Sequence, residues 1–171
     1  MSWAHLSVIL EPYNYHRKII GFDTFEGFPN VTPQDGHGGN VRVGAFREGY
    51  DTHAELSCAI VEFDSNRFIN HKQKIELIKG DANKKIPQYL GDNPHLLISL
   101  LYLDFDIYEP TLTALTQLLP RIPKGGVVAF DEVNNPDWPG ETLALLKSLE
   151  LRHHRLECIG YEPNISFIQL D

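Results

Sequence analysis

At 171 residues and 19.5 kDa, with 42% hydrophobic side chains, the chain has the size of one globular domain and can bury a core without disulfide or metal staples. Lys+Arg 15 against Asp+Glu 23 leave a formal net charge of −8, which argues against nucleic acid or an anionic membrane as partner, because both need a basic face. Two distant cysteines, Cys58 and Cys158, read as buried thiols of a reducing cytoplasm, and neither a basic-then-apolar leader nor a span-length apolar run occurs.

The first predicted element is a short helix opened by Ser2, with Trp3, Leu6, Ile9 and Leu10 on one face and Pro12 ending it. A strand follows at Lys18 to Phe22, closed by Asp23. Residues Pro29 to Tyr50 are one long Gly-rich irregular segment, the length of a binding loop or lid. Asp51 to Phe68 has helical spacing, with Leu56, Ala59, Ile60 and Phe63 on one face and Cys58 counted with the core. Ile75 to Ile78 reads as a strand, followed by Gly80-Asp81 and a helix over Asn83 to Leu90. Leu96 to Leu103 is apolar almost throughout, as expected of a central strand covered on both faces. A helix from Tyr108 to Leu119, a strand at Val127 to Phe130 and a helix from Glu141 to Leu151 come next. Arg155 to Tyr161 and Ile165 to Leu170 then read as two strands around a Glu162-Pro163-Asn164 turn. Alternating strands and helices predict an α/β domain over residues 1–171, with a largely parallel sheet closed by an antiparallel hairpin. Such a domain normally starts on a strand, so the chain is expected to begin mid-fold.

Ligands of open parallel sheets bind at the carboxyl ends of the strands. Acids fall at four such ends: Asp23, Gly80-Asp81, Asp104 with Asp106, and Asp131-Glu132. Asp23 is placed either to take hydrogen bonds from ribose hydroxyls or to cap the Thr24-Phe25-Glu26 turn. Asp81, with the Ala82 N–H, faces an adenine edge, caps the following helix, or does both. Asp104 and Asp106 are two apart on an extended end and share one side, with Asp131-Glu132 closing the next strand. Together they make an oxygen-rich site for Mg²⁺ or a similar hard cation, or else a set of solvated acids and caps. The scattered histidines, including His37, His53, His153 and His154, have no ligand spacing. Ser99 lacks the Gly-x-Ser-x-Gly setting of a serine hydrolase.

Four blocks in order carry a resemblance: Phe22-Asp23-Thr24-Phe25-Glu26-Gly27-Phe28-Pro29, Lys79-Gly80-Asp81-Ala82, Leu103-Asp104-Phe105-Asp106-Ile107-Tyr108-Glu109-Pro110-Thr111, and Pro123-Lys124-Gly125-Gly126 leading to Phe130-Asp131-Glu132. From about Trp3 onward the chain resembles the macrocin O-methyltransferase family of S-adenosylmethionine-dependent sugar O-methyltransferases, which includes deoxyhexose 3-O-methyltransferases. The resemblance implies a class I methyltransferase, Rossmann-like α/β fold with a seven-stranded sheet and an antiparallel last strand. It implies that Asp23, Thr24 and Phe25 line the ribose wall and that Asp81 and Ala82 frame the adenine, with Asp104 also on the cofactor side. Asp104, Asp131 and Glu132 match the magnesium ligands and Asp106 the general base, although Asp104 and Asp106 are close enough to exchange roles. Where the antibiotic-tailoring members carry an Asp-Asp pair, this chain has Asp131-Glu132.

The family's first strand and Gly-rich turn have no counterpart here, and Trp3 to Leu10 matches the helix that follows them. The Asp23 strand is therefore expected not to pair with the Asp104 strand, since paired strands lie ~4.8 Å apart. A non-catalytic methyltransferase remnant is the competing reading, and a haloacid dehalogenase-type phosphohydrolase, from Asp104-x-Asp106, a weaker one. The acceptor is expected to be a sugar or glycosylated small molecule, with Pro29 to Tyr50 and the Asn134 to Gly140 turn as a lid and Trp138 available to stack on a sugar face. An unpaired strand edge would favour self-association.

Overall fold

In the computed structural model, residues 1–171 are described, apart from the side chain of Pro163. Six strands and five α-helices alternate in chain order: α1 (Ser2–Leu10), β1 (Ile19–Asp23), α2 (Thr52–Ser65), β2 (Ile75–Lys79), α3 (Ala82–Asp92), β3 (Leu100–Leu103), α4 (Tyr108–Leu118), β4 (Val127–Phe130), α5 (Pro139–Ser148), β5 (Leu156–Ile159) and β6 (Glu162–Gln169). Side-chain caps start two of the helices, and the sequence predicts the one from Asp81. Asp51 accepts from the Ala54 N–H and opens α2, and Asp81 accepts from the Asn83 N–H and opens α3.

The strands form two sheets. β1 pairs in parallel with β2, in the register Ile19↔Ile75 to Asp23↔Lys79. The other sheet has the order β3-β4-β6-β5, with β3 parallel to β4 and β6 antiparallel to both of its neighbours. Arg17, just before β1, donates from Nη1 to the Ser99 hydroxyl, just before β3, at 2.7 Å. The two sheets thus lie beside each other with no ladder between β1 and β3, as the sequence analysis expects.

Each sheet has its own apolar cluster. Leu103, Val128, Phe130 and Ile168 pack with Ile86, Leu115 and Leu145 of the surrounding helices. Around β1 and β2 the buried set is small: Ala4, Ile60 and Ile75. Lys74 is buried there and donates to the carbonyls of Arg17 at 2.7 Å and Asn14 at 3.3 Å, tying the approach to β1 onto the start of β2. Burial, then the neighbouring Arg67, pushes its pKa down. The apolar face predicted for α1, Trp3, Leu6, Ile9 and Leu10, is exposed throughout, and the residue the helix buries is Ala4 on another face.

Three expectations change. The eight-residue central strand is four residues long, because only β4 pairs with it: the Ile98 N–H bonds to the Arg121 carbonyl instead, and Leu97 is 75% exposed. The final turn falls at Gly160-Tyr161, so Glu162 to Asn164 belong to β6. Cys58 and Cys158 are free, as expected, but both are exposed, Cys58 because α2 has little sheet to cover it. Among the described residues, no helix is long and apolar enough to cross a membrane.

Candidate active site

At the carboxyl end of β1, Asp23 is exposed, and its Oδ1 accepts the Phe25 N–H at 2.6 Å, folding the chain into a tight turn. Thr24 closes that turn by donating to the Gly27 carbonyl at 2.6 Å. Phe25 takes φ 57, a left-handed conformation that bulky side chains rarely adopt. At the adjacent end of β2, Gly80 takes φ 139, and a Cβ there would meet Lys85 Cε at 2.9 Å. This backbone delivers Asp81 as the cap of α3 and buries Ala82 as its first residue. An open cleft of about 300 Å³ lies alongside, lined by Phe25, Glu26, Arg47, Tyr50, Asp51 and Lys79 among others. Asp23 and Asp81 thus stand at the paired ends of β1 and β2, each holding a backbone N–H of the turn or helix that follows.

The second group stands at the ends of β3 and β4. Asp104 follows β3. Asp106 sits at φ 61 inside a strained three-residue turn closed by the Ile107 N–H on the Phe105 carbonyl at 2.6 Å. Asp131 follows β4, its N–H bonded to the Leu103 carbonyl at 3.1 Å and its Oδ1 accepting from the Tyr102 hydroxyl at 2.8 Å. Glu132 donates its N–H to Glu141 Oε1 at 2.9 Å, and its own carboxylate accepts from the Asn135 amide.

The acids feel one another. Burial first, then the charges of Asp131, Asp23 and Glu132, raise the Asp104 pKa. Burial, then Asp104, Glu132 and Asp131, push Asp106 up to about 6. Burial, followed by its bond to Asp131, drives the Tyr102 phenol well above its ordinary value, so Tyr102 remains a hydrogen donor. Negative charge crowded at one sheet edge is the setting in which a divalent cation relieves repulsion, and carboxylate oxygens are the donors a hard cation takes. The donor chemistry therefore fits. Among the described residues, however, no three of His, Cys, Asp or Glu are gathered closely enough to hold an ion. Asp104, Asp131 and Glu132 share a field without forming a ligand cage, since Asp131 is turned to Tyr102 and Glu132 to Asn135.

Sequence reasoning misses four residues here: Tyr102, Glu141, Asp35 and Gly140. Glu141 is fully buried, its Oε2 has no partner, and burial pushes its pKa up to about 8. Asp35 is also buried. It accepts from the Thr32 N–H at 2.6 Å, the Thr32 hydroxyl at 2.9 Å and the Tyr108 N–H at 2.5 Å, pinning the long loop to the start of α4. Gly140 is the seat for that carboxylate, as a Cβ there would lie 2.5 Å from Asp35 Oδ1. The Thr32-x-x-Asp35 spacing is a capping-box signal available in the sequence. Tyr102 and Glu141 carry none, because their partners come from other elements.

The family model described as Macrocin-O-methyltransferase (TylF) matches residues 6–144. Among solved structures, the calicheamicin methyltransferase CalS11 is 39% identical, with a TM-score of 0.93 over 98% of this chain and 65% of that one. An apo structure of CalS11, a TDP-rhamnose 3′-O-methyltransferase of calicheamicin biosynthesis, aligns at 34% identity and a TM-score of 0.80, covering 98% and 64%. The O-methyltransferase NovP shares the fold at 20% identity and a TM-score of 0.72, covering 98% and 65%. The chain thus spans about 65% of the length of these structures. No curated protein matches.

Proposed function

Since the chain belongs to the macrocin O-methyltransferase family, we propose that residues 1–171 act as a single domain that moves a methyl group from S-adenosylmethionine to a sugar hydroxyl. The observation that carries this reading is the shared field of Asp104, Asp106, Asp131 and Glu132 at the carboxyl ends of β3 and β4. That CalS11 is a TDP-rhamnose 3′-O-methyltransferase makes a deoxyhexose the first acceptor to consider.

S-adenosylmethionine would supply the electrophilic methyl, and Mg²⁺ or a similar cation, if Asp104, Asp131 and Glu132 turned their carboxylates onto it, would make the acceptor hydroxyl more acidic. Asp106 takes the hydroxyl proton on its carboxylate. Held at about 6, it is mostly ionised at neutral pH yet basic enough to accept a proton. In-line displacement needs acceptor and donor held at short range, and the β3–β4 ladder fixes the two acid pairs relative to each other. Asp23 keeps one carboxylate oxygen in its turn and offers the other to ribose hydroxyls, with Thr24 and Phe25 on the same wall. Asp81 and Ala82 border the adenine, and Asp104 also faces the cofactor. Tyr102 and Glu141 orient Asp131 and Glu132 from behind.

Calorimetric titration with S-adenosylhomocysteine, with and without Mg²⁺, tests the cofactor part. One-site binding lost in Asp23→Ala and Asp81→Ala is expected, and a folded chain that binds nothing would sink the proposal that this polypeptide is a working methyltransferase. Mass spectrometry of a TDP-6-deoxyhexose incubated with the chain and S-adenosylmethionine tests transfer, with a gain of one methyl expected.

A further inference from the structure

The loop after β1 and the turn before α5 bring three aromatic rings together. Phe28 and Phe46 lie 5.4 Å apart at 81°, Phe28 and Trp138 5.8 Å apart at 70°, and Phe46 and Trp138 5.8 Å apart at 46°. Phe28 meets both other rings in T-shaped contacts, a favourable packing, while the Phe46 and Trp138 rings are tilted to each other. The backbone builds this group deliberately. The Phe28 N–H bonds to the Ala45 carbonyl at 3.3 Å and the Gly44 N–H to the Phe28 carbonyl at 2.9 Å, so the two ends of the loop pair. Only glycine fits at 27, where φ is 75 and a Cβ would lie 2.1 Å from the Ala45 carbonyl oxygen. Phe46 itself is held at φ 62, a costly conformation for an aromatic residue, and remains 59% exposed. A ring placed at such cost and left in solvent contributes little to the core.

Position says what it serves. Phe28 is five residues past Asp23, and Trp138 is six past Glu132. The Trp138 N–H bonds to the Asn135 carbonyl at 3.3 Å, and the Asn135 amide bonds to the Glu132 carboxylate. Asn135 therefore links the backbone of Trp138 to the Glu132 carboxylate of the acid cluster. A ligand that suits both must be apolar on one face and carry hydroxyls on its rim. A pyranose is such a molecule, and its polarised C–H hydrogens are attracted to the electron-rich aromatic faces. We infer that Phe28, Phe46 and Trp138 form the acceptor platform, on which the C–H face of a 6-deoxyhexopyranosyl group rests against Phe46 and Trp138. This rests on the sugar-methylating function proposed above, and it assigns the part of the site that holds the acceptor.

The chain has two tryptophans, so in a Trp3→Phe background Trp138 alone reports. Trp3 is 51% exposed, which makes that replacement mild. Titration with methyl rhamnopyranoside should change Trp138 emission saturably, with glycerol at equal concentration as a control that does not. Phe46→Ala should raise the half-saturating concentration roughly three- to tenfold, the worth of one aromatic contact, and Phe46→Tyr should restore it. A linear, non-saturating response, or a Phe46→Ala curve identical to the parent's, overturns the platform. Methyl transfer is scored separately. Transfer with an acceptor KM unmoved by Phe46→Ala removes the platform and leaves the function, whereas saturable emission without transfer keeps the platform and removes the function.

Discussion

Asp106 is half-buried and Glu141 fully buried, and both carry raised pKa values, yet they suit different tasks. Asp106, at about 6 and on a strained turn, is largely ionised at neutral pH. Asp106→Asn should lower transfer by roughly 10²- to 10⁴-fold, the usual worth of a general base, while S-adenosylhomocysteine binding stays as in the parent. Equal loss of binding would make Asp106 a structural residue. Glu141, at about 8, keeps a proton that the unfolded chain, titrating near 4.5, has already released. Between those two values the folded state binds more protons, so stability falls as pH rises from about 4.5 to about 8 and levels off above. Glu141→Gln keeps an acceptor for the Glu132 N–H and removes that slope. In metal-free buffer its urea midpoint should exceed the parent's at pH 8 and match it near pH 4.5. A parent that gains stability across this range would contradict the assignment.

At the scale of elements, three contacts pin the loop between β1 and α2 to the starts of α4 and α5. Asp35 holds the Tyr108 N–H, Gly36 packs against Pro139, and Asn30 reaches Glu109 at 3.3 Å. Asp35→Ala orphans the Thr32 and Tyr108 donors and should cost about 1–3 kcal/mol, the penalty of unsatisfied buried groups. Limited proteolysis should then cut within residues 29–50 faster than in the parent, while a cleavage rate equal to the parent's would show that other contacts hold the loop. The start of α3 was legible from Asp81 because a cap acts on backbone two residues away. The length of β3 was not, because it depends on how many neighbours supply hydrogen bonds, and only β4 does.

Across the whole molecule the two sheets divide the chain into a well-buried part and a thin one. β4 lies between β3 and β6 over the large apolar cluster, whereas β1 and β2 share three buried residues with α1 and α2. Amides of Val127–Phe130 should therefore exchange with deuterium most slowly and those of Ile19–Asp23 much faster. Uniform protection across both sheets would mean that they unfold as one unit.

The alternation of strands and helices, the acids at four strand ends and the antiparallel close were all written in local pattern. Hydrophobic period and the residue that breaks it act over a few neighbours, and so did the four blocks that pointed to the family. What those acids meet was decided only by folding. Tyr102 reaches Asp131 across the sheet, Glu141 is buried beneath Glu132, and Asp35 crosses 73 residues to Tyr108. Phe28 and Phe46 likewise meet Trp138 from a segment more than ninety residues earlier in the chain. Burial and charge coupling depend on distances in space, and a carboxylate's pKa and a ring's exposure follow from them.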